Sequence, residues 1–289
     1  MIGLRPLLAF MAACAAMLMT ASAQVQVQIS LPTTNYVAGE EIPVTVTITN
    51  YAGKDLTFLG STTQNWLEFN VMSGNQPVSP AIQAAIKGAK IKAGGTGQLT
   101  FGLATIYGLQ NMGNYSVEAT VRLPGEASNG GAMSNRILFN VYTPRPFWTQ
   151  KIGLGDGRQR EFRVMNFSSG QKTLLYCQVV DDRTGGILRA QSLGESLTFK
   201  HPSIAVDDKQ VMHVLYQINP AVWGHARIAS DGGFNGRDLY KPAGMDPFLA
   251  KASTGAIVTQ GAIAYDPKKE AEERAKVRKA TDRPSLGFQ

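Results

Sequence analysis

The chain has 289 residues, 44% of them hydrophobic and 17% charged, with a formal net charge of +7 and two cysteines. That balance excludes a disordered or collagen-like chain and a disulfide-dense scaffold, and the length suffices for two domains that each bury a core. The basic excess is dilute: Lys268 to Arg283 holds seven Lys or Arg against four Asp or Glu, and with no dense basic stripe elsewhere nucleic-acid binding is not expected.

Residues 1–23 read as a cleavable export signal. Arg5 precedes an apolar run from Leu7 to Met19, and Ala21 and Ala23 form an Ala-Ser-Ala cleavage site before Gln24. The run is about 13 residues, short of the roughly 20 that span a bilayer, so cleavage is favoured over a retained anchor and no transmembrane span is expected in the mature chain. Lipidation at Cys14 is the rival, disfavoured by the short apolar stretch before it. Cleavage after Ala23 removes Cys14 and leaves Cys177 alone, so no intramolecular disulfide can form.

Residues 24–143 alternate apolar and polar side chains with a period of two. Strands are predicted at Val25–Ser30, Ile42–Thr49, Leu56–Leu59, Trp66–Met72, Gly97–Leu103, Tyr115–Leu123 and Arg136–Tyr142. Seven short strands at this spacing predict a β-sandwich. Ser79-Pro80 is an N-cap followed by a first-turn proline, which predicts a short helix over Ala81–Ala89, acting as a lid or as a binding protrusion. Gly113-x-Tyr115-x-Val117 has the spacing of a tyrosine corner, in which the phenol bonds the backbone just upstream; packing of the ring alone is the other reading.

Tyr36, Ala38-Gly-Glu40, Val44-Thr-Val-Thr-Ile-Thr-Asn50, Leu99-Thr-Phe101 and Gly113-Asn-Tyr-Ser-Val117 resemble a bacterial immunoglobulin-like module of the macroglobulin and BsuPI-inhibitor kind. The resemblance covers about 115 residues. It implies an immunoglobulin-like sandwich and, as one possible activity, proteinase inhibition.

Thr143-Pro-Arg-Pro146 marks a Pro-rich linker over residues 144–147. Residues 148–267 are again β, with strands predicted at Arg160–Asn166, Thr173–Val180, Ile187–Ser192, Ser203–Val206, Val211–Ile218, His225–Ser230 and Ala256–Gln260. Leu175-Tyr176 recurs as Leu215-Tyr216, and Pro202-x-Ile204-Ala205 as Pro247-x-Leu249-Ala250. This period of about 40 to 45 residues is that of a propeller blade, and His201–Gln217 resembles the inner strands of a sialidase-like blade. About 120 residues hold three blades at most, fewer than closed propellers use, so an open set of blade-like meanders is expected. The Asp-box of sialidases is missing, and no catalytic residue carries over.

His201, His213 and His225 are the only histidines, and their 12-residue spacing places them near different strands. In Val211–Ile218 the apolar face is Met212, Val214 and Tyr216, so His213 is expected to look outward and no metal set is expected. Gly153-Leu-Gly-Asp-Gly157 reads as a turn, because Arg158–Asn166 reads as a strand and not as the helix a phosphate loop needs. Cys177 lies in a run apolar on both faces and is expected to be buried and inert. Trp223, His225 and Arg227 share one face at period two and form the candidate binding stripe, suited to a sugar ring, an acidic peptide or a protein surface; packing within the protein is the alternative. Residues 268–289 form a charged tail, helical or disordered.

The reading that follows is an exported, non-catalytic binding or structural protein, periplasmic or extracellular. Its partner would be another envelope or extracellular protein or a glycan, and no cofactor is implied. A proteinase inhibitor and, more remotely, a glycan-acting hydrolase are the alternatives.

Overall fold

Alternation of β-branched and polar residues puts one face of each strand into a core and leaves the other wet. The computed structural model describes residues 25–60, 65–124, 131–170 and 172–281, with side chains to Lys276. The export segment, Cys14 included, lies outside the described residues. The chain is nearly all β and divides into two units, one of the residues up to Tyr36 plus Glu41–Tyr142, the other of Val37–Glu40 plus the residues from Thr143 on.

In the first unit the strands are β1 (Val25–Ser30), β2 (Asn35–Val37), β3 (Pro43–Asn50), β4 (Leu56–Phe58), β5 (Leu67–Ser73) and β6 (Gln76–Pro77), then β7 (Ala89–Ile91), β8 (Thr96–Gly102), β9 (Gly113–Arg122), β10 (Gly131–Met133) and β11 (Ile137–Tyr142). One sheet has the order β1-β3-β8; a second runs β2-β11-β9-β5-β6 with β10 added beside β9; β4 and β7 form a ribbon. Val25, Val27 and Ile29 in β1, Val44, Val46 and Ile48 in β3, and Val117, Ala119 and Val121 in β9 are buried at alternate positions. The two larger sheets meet at Phe69 and Phe101, whose rings cross edge to face at 5.5 Å.

Two expectations need correction. Ala81–Ala89 is not a helix: the Ala81 and Ile82 amides donate to the Ile106 carbonyl at 2.8 and 3.2 Å, and Ile86 is buried. A helix of nine residues with Gly88 in its last turn has too little cooperative length to form by itself, and tertiary contacts hold the segment extended instead. The short helix of this unit is instead α1 (Leu103–Tyr107), which takes over where β8 was expected to continue and ends at Gly108 in the left-handed region, with φ 61°.

The tyrosine-corner spacing has its hydrogen bond, with Tyr115 Oη donating to the Asn111 carbonyl at 2.8 Å. Tyr115→Phe is expected to lower the stability of this unit by about 1 kcal/mol, read by urea unfolding; no measurable change would mean that the ring alone secures the corner.

The second unit contains β12 (Trp148–Gly153), β13 (Gln159–Ser169), β14 (Lys172–Asp181), β15 (Ile187–Glu195), β16 (Ser203–Val206) and β17 (Met212–Asn219), then β18 (Val222–Ile228), β19 (Phe234–Pro242), β20 (Phe248–Lys251), β21 (Ile257–Gln260) and β22 (Ala262–Ala264), followed by helix α2 (Pro267–Thr281). Two antiparallel sheets follow one another, β12-β13-β14-β15 and β16-β17-β18-β19-β22, while β20 and β21 pair as a separate ribbon. Such consecutive meanders are propeller-like. They share one core, in which Phe162, Val164, Cys177 and Val179 of the first sheet join Met212, Val214, Tyr216, Ala226 and Ile228 of the second.

The opposite face of β13 and β14 is also covered. Val37 packs with Met165, Phe167, Tyr176 and Ala190. Gln178 Nε2 donates to the Ala38 carbonyl at 2.9 Å, and Tyr176 Oη donates to the Glu40 carboxylate at 3.0 Å. This two-sided burial is why Leu174–Val180 of β14 is apolar on both faces apart from Gln178, and it encloses Cys177, whose thiol is pushed far up by burial and out of reach of reaction. Gly153–Gly157 forms the β12–β13 turn, with Leu154 N donating to the Arg158 carbonyl at 2.7 Å.

Candidate functional site

Two places bring polar groups and shape together. The first lies at the edge of β5. In antiparallel pairing the N–H and C=O of alternate residues point to the same side. Val71 O accepts Val78 N at 2.9 Å on the β6 side, and Trp66 O accepts Arg122 N at 2.7 Å on the β9 side. The backbone groups of Leu67 and Phe69 therefore face away from β9.

Along that edge β6 has only two residues, and the chain departs at Val78. It returns to β5 where Asn65 Nδ2 donates to the Ala84 carbonyl at 3.0 Å and Trp66 Nε1 to the Lys87 carbonyl at 3.2 Å. Between departure and return lies a cavity of about 450 Å3, within the range of ligand sites. Leu67, Phe69, Val71, Ile82, Ile86 and Ile106 supply apolar walls. Tyr107 Oη donates to the Phe69 carbonyl, and burial pushes this phenol up to about 12, so it stays a donor. Asn65 Oδ1 is buried with no hydrogen-bond partner.

The second place is the face of β17 and β18 opposite the shared core. The register pairs His213 with Arg227 and Leu215 with His225, which sets the two imidazoles diagonally on one face. His213 Nδ1 and His225 Nε2 are 2.9 Å apart; His213 Nε2 is 3.3 Å from Asp207 Oδ2, and His225 Nδ1 is 2.9 Å from Thr259 Oγ1. Asp207 Oδ1 accepts the amides of Lys209 and Val211, each at 2.9 Å. Burial pushes the Asp207 carboxyl up, but the Val211 amide, His213 and the Lys209 amide outweigh it and hold it below its ordinary value. An ionised carboxylate only accepts, which fixes every proton in the neutral chain: Thr259 O–H donates to His225, His225 Nε2–H to His213, and His213 Nε2–H to Asp207.

His213 thus corrects the expectation that it looks outward. The face assignment from the sequence holds, but the β20–β21 ribbon covers that face, and His213 and His225 are 5% and 3% exposed. A 12-residue separation across a tight hairpin is the signal that would have paired them. His201 stays apart, exposed and 6.4 Å from the Phe147 ring. Among the described residues no cluster of three or more His, Cys, Asp or Glu could hold a metal ion.

Trp223, His225 and Arg227 do share one face, yet Trp223 and His225 are buried. Lys200 Nζ sits 4.9 Å from the centroid of the Trp223 ring, whose Nε1 has no partner. Arg227 pairs with Asp238 at 2.5 Å. No helix among the described residues is long and apolar enough to cross a membrane.

No protein-family model and no curated protein matches the sequence. Among solved structures, the sporulation control protein Spo0M from Bacillus subtilis aligns with 90% of this chain and 98% of its own, at 10% identity and a TM-score of 0.28. A likeness that loose decides nothing about fold or function.

Proposed function

We propose that the chain is an exported, non-catalytic binding protein that receives a short apolar polypeptide segment against the edge of β5. The carrying observation is the cavity there, where the outward-facing backbone groups of Leu67 and the amide of Phe69 lie among apolar walls, the Phe69 carbonyl being taken by Tyr107. An extended ligand could add to the strand by main-chain hydrogen bonds while its side chains fill the apolar space. The orphaned Asn65 Oδ1 would accept one further ligand N–H. We take the first unit as an immunoglobulin-like sandwich, a reading supported by its two sheets and the Tyr115 hydrogen bond; residues 1–23 carry the proposal of export.

The test is selection of displayed peptides on the mature chain, with Ile82→Asp as the counter-selection. Ile82 lines the cavity and is half exposed, so the variant keeps the core intact. Binders that weaken at least about tenfold on Ile82→Asp, and on N-methylation at alternate ligand positions only, support the proposal. A selection that yields no Ile82-dependent binder removes it.

A further inference from the structure

The chain Asp207–His213–His225–Thr259 ties three pieces of the second unit together: the turn after β16, the β17–β18 hairpin and the β20–β21 ribbon. Its proton count is limited by geometry. With both imidazoles neutral, one N–H fills the 2.9 Å gap between them. With one proton added, the gap still holds a single N–H; the far end of the chain then donates to the Thr259 oxygen, and Asp207 faces the added charge. With two added protons, two N–H groups confront each other across the same gap, and two like charges sit on rings whose centroids are 5.1 Å apart.

The other charged and titratable groups near this pair do not relieve that conflict. Arg227 adds positive charge and is itself engaged by Asp238. Tyr240, on β19, has its ring 6.5 Å from His225. Asp208 is turned to Lys251 of the ribbon at 2.7 Å, in an exposed pair.

We propose that the histidine pair is a proton-operated latch: holding at most one proton between its two rings it fastens the β20–β21 ribbon over β17 and β18, and a second proton releases the ribbon. The fastening point is the Thr259 hydroxyl. Release uncovers the face of β18 that carries His225.

Amide hydrogen exchange on the mature chain tests this. Between pH 7 and about pH 4, after correction for intrinsic rates, amides of Phe248–Lys251 and Ile257–Gln260 are expected to exchange at least about tenfold faster and to do so through an opening of lower free energy than the one that exposes Phe162–Val164. Thr259→Val removes the hydroxyl at nearly constant volume and is expected to lower ribbon protection at pH 7 and to shrink the acid step. His213→Gln, which cannot take up a proton, is expected to abolish the step, whereas Asp208→Asn keeps it. Three results overturn the latch: ribbon protection unchanged at acid pH, ribbon amides that exchange at acid pH with the same opening free energy as Phe162–Val164, or a step that survives in both Thr259→Val and His213→Gln.

Discussion

Asn50→Ala is expected to destabilise the first unit by about 3 kcal/mol, among the largest single effects this molecule offers. The side chain is fully buried at the end of β3. Its Nδ2 donates toward the carbonyls of Lys54, Lys92 and Ile91 at 2.8, 3.1 and 3.2 Å, and its Oδ1 accepts the Ala52 amide at 2.9 Å. Its main chain exchanges bonds with Gly94 and Gly95, each at 2.9 Å. One amide thus satisfies the turns on both sides of the β4–β7 ribbon. Truncation removes these bonds, leaves the Lys92 carbonyl only the Gly95 amide, and opens a void.

Asn50→Asp should be worse than Ala at neutral pH, because a carboxylate set against three carbonyls has no proton to donate. Urea unfolding of the three proteins checks the order. A cost for Asn50→Ala below about 1 kcal/mol would show that the turns hold without this side chain.

Acid is expected to weaken the second unit by as much as about 3 kcal/mol through His225 alone. Burial, His213 and Arg227 push this imidazole down from its ordinary 6.5 to about 4, against a weak opposing pull from Asp238. The folded protein therefore binds this proton less readily than the unfolded chain. The contribution is fully present above pH 6.5 and is lost as pH falls toward about 4.

Glu40 works in the opposite sense. Burial raises its carboxyl above 4.5, against the Val37 amide and the Tyr176 hydroxyl. Its neutral form is favoured on folding, so its contribution is present below 4.5 and is lost as pH rises through the raised value. Equilibrium unfolding across this range should show wild-type stability falling from pH 6.5 downward, with the slope removed in His225→Gln and steepened in Glu40→Gln. A flat wild-type profile would mean that His225 meets water in the folded state.

The strands that bury one face were legible because period two is a local signal: Val25–Ser30 and Pro43–Asn50 fall within a residue of their expected bounds. The missed strands carry little of that signal. Phe234–Pro242 holds Asp238, Lys241 and Pro242 and is mostly exposed or half-buried, and Gln76–Pro77 has only two residues. The Ser79-Pro80 start signal is local, whereas the bonds that hold the segment are tertiary: the Ala81 and Ile82 amides go to the Ile106 carbonyl, about 25 residues away, and the Ala84 and Lys87 carbonyls accept from Asn65 and Trp66.

The candidate site divides in the same way. The shared face of Trp223, His225 and Arg227 follows from local periodicity. That the face is covered depends on Thr259, 34 residues beyond His225, and no local pattern announces that approach. Cys177 was legible because both of its faces read apolar, and both are indeed packed.

The two units also differ in how far apart in sequence their paired strands lie, and that sets the order in which they can assemble. In the second unit β12, β13, β14 and β15 pair strictly with the next strand along, so each hairpin can form as soon as its own residues are free. In the first unit β3 waits for β8, β5 for β9, and β2 for β11. Non-local closure of this kind is slow, because loop entropy is lost before contacts form. A chain emerging from its N-terminus thus presents its slow-folding half first, with one backbone edge of β3 unpaired until β8 arrives some 50 residues later.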